Sequence, residues 1–147
     1  MLYNWALSFA GSTETPVKVY FTNNIAIGCG YFRRASESQV ILQTSKLMTE
    51  TVSDMDFLHI TATLFHLFGH HGQLTSKDTP KEILISSLSI YGNKMYYRLN
   101  RSNLLHEIDA EYTGVMSMLE HINTICPKHG EKLFLQYMSL RASDRWN

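Results

Sequence analysis

The window Thr63-Leu64-Phe65-His66-Leu67-Phe68-Gly69-His70-His71-Gly72 sets His66 and His70 four residues apart, in a segment whose apolar spacing reads as helix. Four residues is close to one helical turn, so both imidazoles leave the same face. Two nitrogens placed that way can reach one metal ion at about 2.0–2.1 Å each, the zinc–imidazole distance. Zinc hydrolases of the H-E-x-x-H type carry a glutamate directly after the first histidine, where it takes a proton from water on the metal. Here that position is Leu67. An isolated pair of this kind also arises as two helix histidines packed near aromatics and satisfied by backbone or water.

A third ligand is available in His106-Glu107-Ile108-Asp109-Ala110-Glu111-Tyr112. Glu107 and Glu111 share a helix face, and His106 is offset from Glu107 by about 100°. Two histidines from one helix and a carboxylate from a following helix leave one position of a tetrahedral ion open, as in catalytic rather than structural zinc sites. Asp109 could orient a ligand imidazole from behind. Glu111, His59 and His71 could each serve as base, fourth ligand or oxyanion donor, and Tyr112 could hydrogen-bond a developing oxyanion. A purely structural zinc would need a fourth protein ligand, with His59, His71, His106 and Glu111 the nearest choices. The plainer readings are a helix-end histidine for His71 and a solvated acidic face at a helix start for Asp109 and Glu111.

The elements that must carry these groups fall in two halves. Val17 to Phe21, Ile25 to Phe32 and Gln39 to Gln43 read as strands, with a turn at Asn23-Asn24 and a polar loop from Arg33 to Ser38. Arg33-Arg34 suits an exposed hairpin tip. Ser53 opens a helix with Asp54 and Asp56 in its first turn, and Gly72 suits its stop. Thr75 to Pro80 reads as loop, and Glu82 to Tyr91 fits helix or strand. A second long helix is expected from near Ser102 to about Ile125, before Pro127, and a last one from about Lys128 to Arg141. Tyr91, Tyr96 and Tyr97 read as packing residues, though a substrate groove beside an edge strand would also use tyrosines. The expected fold is α+β: a small, mostly antiparallel sheet packed on helices near 54–72, 102–125 and 128–141, in one domain over residues 1–147.

Bulk properties narrow the function. The 13 basic and 13 acidic residues cancel, so no cationic excess favours a nucleic-acid partner. Cys29 and Cys126 form neither a disulfide framework nor a C-x-x-C pair, which fits a reducing, cytoplasmic setting. Met1 to Gly11 is too short to span a bilayer, and no later segment approaches the roughly 20 apolar residues required.

Strand, loop, strand, a helix with His-x-x-x-His-His and a helix opening with Glu-x-Asp-Ala: over residues 39–115 this order resembles the minimal zincin metallopeptidases, in particular the ImmA/IrrE-like group of mobile genetic elements. Members read H-E-[LF]-[GA]-H-H and, some tens of residues on, E-x-[DE]-A-[DN]. Phe68-Gly69 and Asp109-Ala110 match those patterns, whereas Leu67 and Glu111-Tyr112 depart from them. The resemblance implies a minimal zincin-like fold with Zn²⁺ on His66, His70 and Glu107. It also implies peptide-bond hydrolysis impaired by the missing base, which Leu67→Glu is expected to restore. Zincins often take peptide as an added strand, which makes Gln39 to Gln43 the candidate edge. The alternative is a non-catalytic interaction module on the same scaffold, binding a protein partner such as a repressor or a host-defence protein.

Overall fold

The computed structural model of the chain describes residues 6, 16–24, 26–34, 37–45, 53–88, 92 and 94–146. Of the segments considered above, Met1 to Gly11 (Ala6 apart), Ile25, residues 35–36 and residues 89–91 lie outside them.

Glu37–Gln43 alternates between a buried and a half-exposed face, with Ser38, Val40 and Leu42 turned inward. It is the central strand, β3, of a three-stranded sheet ordered β1-β3-β2. β1 (Lys18–Thr22) pairs parallel to it and β2 (Gly30–Arg34) antiparallel, so Val19, Val40 and Tyr31 lie in one row across the sheet. The sheet is therefore mixed, not mostly antiparallel. The strand with the clearest inward alternation takes the centre, where both of its edges are paired. This corrects the expectation that residues 39–43 form a free edge: β3 has no side open to an added peptide strand, and among the described residues the edges are β1 and β2. The second strand also starts later than expected. Residues 26–29 form turn and irregular chain, with Asn24 Oδ1 accepting from Ala26 N at 3.0 Å. Arg33 and Arg34 belong to β2 rather than to a loop.

The buried face of the sheet packs on α1 (Asp54–Thr75). Ser53 caps this helix through its side-chain oxygen, which accepts from Asp56 N at 3.1 Å. Leu58, Leu64, Phe65 and Leu67 fill the core beneath it. The helix passes through Gly72 to Thr75, because no described glycine adopts the left-handed backbone that would end it there. Two short helices follow, α2 (Lys81–Ser87) and α3 (Lys94–Asn100). Five helices of the described chain thus replace the three expected. A 3₁₀ turn at Arg101–Asn103 leads into α4 (Leu105–Ile125), and α5 (Gly130–Trp146) folds back along it. Pairing of Asn123 with Glu131 and of Arg141 with Glu111 marks the antiparallel run of α4 and α5.

The α1–α4 crossing sets the geometry of everything below, and it is built on two glycines. A Cβ on Gly114 would sit 3.0 Å from His66 N, and one on Gly69 would sit 2.9 Å from Ala110 O. The two backbones touch where most helix pairs are held 8–10 Å apart by side chains. No helix among the described residues is long and apolar enough to cross a membrane. Cys29 and Cys126 are free thiols.

Candidate metal centre

Helix periodicity brings His66 and His70 to one face of α1, and the glycine crossing brings Glu107, in the first turn of α4, against that face. His66 Nε2 lies 3.1 Å from His70 Nε2 and 2.9 Å from Glu107 Oε2; His70 Nε2 lies 3.4 Å from Glu107 Oε1. Among the described residues this is a group of ligand atoms that can hold a metal ion. The spacings can be compared with a tetrahedral site. Ligands at about 2.0–2.1 Å from an ion, separated by the tetrahedral angle, stand about 3.3 Å from one another. The separations here, those to Glu107 running to its two different oxygens, lie on either side of that value.

The far side of each imidazole is also fixed. His66 Nδ1 faces Glu111 Oε2 at 3.0 Å, and Glu111 Oε1 is held by Arg141 Nη2 at 2.6 Å. His70 Nδ1 faces Gln73 Oε1 at 3.1 Å. The Gln73 amide cannot turn over, because its Nε2 donates to His106 O at 2.7 Å and to Asp109 Oδ2 at 2.8 Å. Each Nδ1 therefore faces an acceptor behind it, so that in a neutral ring the hydrogen sits on Nδ1 and the Nε2 lone pair is turned to the common centre. That is the arrangement by which outer hydrogen bonds orient metal-binding histidines. Two such nitrogens and a carboxylate converging within 3.4 Å can share a cation, either a proton or a metal ion.

The electrostatics agree. Burial pushes the His66 pKa down, but hydrogen bonds to Glu107 and Glu111 outweigh it and raise the value above 6.5. Burial likewise works against an ionised Glu107, yet hydrogen bonds with His66, His70 and Tyr97 hold its carboxyl well below the usual carboxylate range. Tyr97, on α3, donates to Glu107 Oε1 at 2.5 Å. Burial, followed by that same bond, raises its pKa, so the phenol stays protonated and stays a donor. His106 stands beside Glu107 Oε1 at 3.5 Å, with Ser86 Oγ 2.9 Å from its Nδ1. Burial lowers its pKa against the opposing pull of Glu107, with the neighbouring histidines and Arg101 adding to the lowering.

Several residues named from the sequence fall elsewhere. Leu67 is 5% exposed and belongs to the core cluster beneath α1. A glutamate there would point into hydrocarbon, not at the metal centre. Glu111 stands behind the His66 ring, on the side away from the ligand atoms. Tyr112 is exposed. His71 is buried against Tyr31, whose hydroxyl lies 2.9 Å from its Nδ1. His59 Nδ1 meets Tyr137 OH at 3.2 Å. Asp109 does act from behind a ligand histidine, but through Gln73 rather than directly. Of two further contributors, Gln73 is not singled out from the sequence and Tyr97 reads there as packing. Gln73 sits three residues after His70, on the same helix face, and that spacing was a usable signal. Tyr97 lies ten residues before Glu107 on a different helix, and no spacing rule connects them.

His66 and Glu107 open onto a cleft of about 810 Å³, whose wall includes Leu99, Arg101, Ile108, Glu111 and Arg141. A second cavity of about 560 Å³, lined by Phe68, His71 and Ile83, reaches Gln73 and Asp109 from the other direction. Comparison with protein-family models, curated proteins and solved structures finds no match for this chain.

Proposed function

We propose that the chain is a zincin-like metalloprotein that binds one Zn²⁺ through His66, His70 and Glu107 and retains little peptide-bond hydrolysis. The observation that carries the reading is the double orientation of the histidines. Both Nε2 atoms lie within 3.4 Å of the carboxylate, and both Nδ1 atoms face acceptors. Two neutral imidazoles with one carboxylate and an open position suit zinc better than the oxygen-preferring ions. Once bound, the ion would supply Lewis acidity to a carbonyl or to water in the cleft.

Turnover, in contrast, finds no uncommitted carboxylate base among the described residues, and His59, which also lines the cleft, has its Nδ1 on Tyr137 OH at 3.2 Å. Among the described residues lining the cleft, the carboxylates are Glu107 and Glu111. The first is a ligand, and the second is committed to His66 and Arg141. Loss of a positioned acid–base group costs about 10²–10⁴-fold in rate. The same absence favours a second reading, a non-catalytic module of a mobile element that uses the scaffold to bind a protein partner.

Elemental analysis of protein purified without added metal tests the first reading. About one zinc per chain is expected, lost in both His66→Ala and His70→Ala. A wild-type chain that takes up no zinc in chelator-free buffer would overturn it. Partner binding that persists in His66→Ala would favour the interaction module.

A further inference from the structure

The cleft beside the ligand trio holds a charge imbalance that selects its occupant, an inference that rests on the metal reading above. Glu111 is neutralised by Arg141 at 2.6 Å. Arg101, on the 3₁₀ turn just before α4, has Nε 3.6 Å from Glu107 Oε2, too long for a hydrogen bond, and its side chain is 61% exposed. When Glu107 coordinates the ion, its charge is spent there. The ion's two charges less Glu107's one, together with the one on Arg101, leave the cleft with two positive charges (with both ligand histidines neutral). A cleft carrying such a field draws in an anion.

The positions define which anion. The Arg101 nitrogen stands 3.6 Å from the carboxylate oxygen that faces His66. An acceptor bound to the guanidinium is therefore held beside the Glu107 carboxylate. A guanidinium receives a carboxylate through paired, planar hydrogen bonds. Leu99 and Ile108 line the same cleft, and both are exposed large apolar side chains. We infer that the cleft binds a carboxylate carried on an apolar stem, the chemistry of a peptide's C-terminal residue, with Arg101 as the specificity-determining residue that receives the carboxylate beside the ion.

The test is calorimetric titration of the zinc-loaded full chain with N-acetyl-leucine, N-acetyl-leucinamide and inorganic phosphate. The acid is expected to bind about tenfold or more tightly than the amide, the difference a charge-assisted pair makes. It is also expected to shift the visible absorption of cobalt-loaded protein, which a remote site would leave unchanged. Arg101→Gln should bring the acid down to the affinity of the amide while still holding one zinc per chain, and Arg101→Lys should keep part of the preference. Equal binding of acid and amide, an unchanged affinity in Arg101→Gln, or phosphate binding as tightly as the acid would each overturn the assignment. Loss of zinc in Arg101→Gln would also overturn it, because Arg101 would then be a support for Glu107. Failure of the wild type to take up zinc is a different result: it removes the metal reading and this inference together.

Discussion

Replacing Gln73 with methionine keeps the length of the side chain and deletes three hydrogen bonds at once. Gln73 Oε1 is the acceptor behind His70, and its Nε2 is the donor to His106 O and Asp109. Removing an outer partner of a metal-bound histidine typically weakens metal binding about 10–100-fold, which corresponds to about 1.4–2.7 kcal/mol. The fold pays separately. The His106 carbonyl meets Gln73 in a buried setting, and leaving such a group unsatisfied costs about 1–3 kcal/mol. Asp109 is half-exposed and regains water, so it adds little. Two assays separate the effects: competition for zinc against a chromophoric chelator gives the affinity, and urea unfolding of the metal-free chain gives the stability. A Gln73→Met chain that holds zinc within about threefold of wild type would refute the reasoning, since no group would then be setting the His70 tautomer through Gln73.

Zinc affinity should be full above the raised His66 pKa and fall as pH drops through it, starting above 6.5, because a proton on Nε2 excludes the ion; zinc competition at a series of pH values measures this. In the metal-free chain the sign reverses. A raised histidine pKa contributes stability that is fully present below 6.5 and lost as pH rises through the folded value, and the difference in unfolding free energy between wild type and Glu111→Gln should shrink over that interval. Gly114→Ala would put a methyl group 3.0 Å from the His66 backbone; it should cost about 1–3 kcal/mol by overpacking and weaken zinc binding along with stability in the same two assays. Leu67→Glu buries a carboxylate in the core cluster; it should lower stability by about 3 kcal/mol or more and produce no peptide cleavage, as thermal unfolding and a peptide digest would reveal.

The local chemistry of the chain made much of this visible before the fold was known. Ser53 with Asp54 and Asp56 marks a helix start by capping and charge, and the i,i+4 histidines share a face on any α-helix. Glu107 follows as the carboxylate of a second amphipathic helix. Features that depend on long-range pairing were hidden. The β1-β3-β2 order rests on which strand the core selects as its centre, and nothing in residues 17–43 states that choice. The orientation of Leu67 was hidden for a related reason. It lies about 100° around the helix from His66, and only the position of the sheet decides whether that direction is cleft or core. Gln73 and Tyr97 look like a polar helix end and a packing aromatic until α3 and α4 are folded against α1. The glycines at 69 and 114 were likewise unreadable as a pair, since their partnership exists only in the crossing.

That crossing has a mechanical consequence. Where two helices rest on interlocked side chains, softening the interior lets them slide, and any centre strung between them loosens in step. Here the stop is backbone against backbone, which does not yield. Substitutions in the interior remote from the crossing, such as a trimmed Ile122 or Phe134, should therefore lower the melting temperature while leaving ion affinity almost untouched, so endurance and grip can drift independently as the sequence changes.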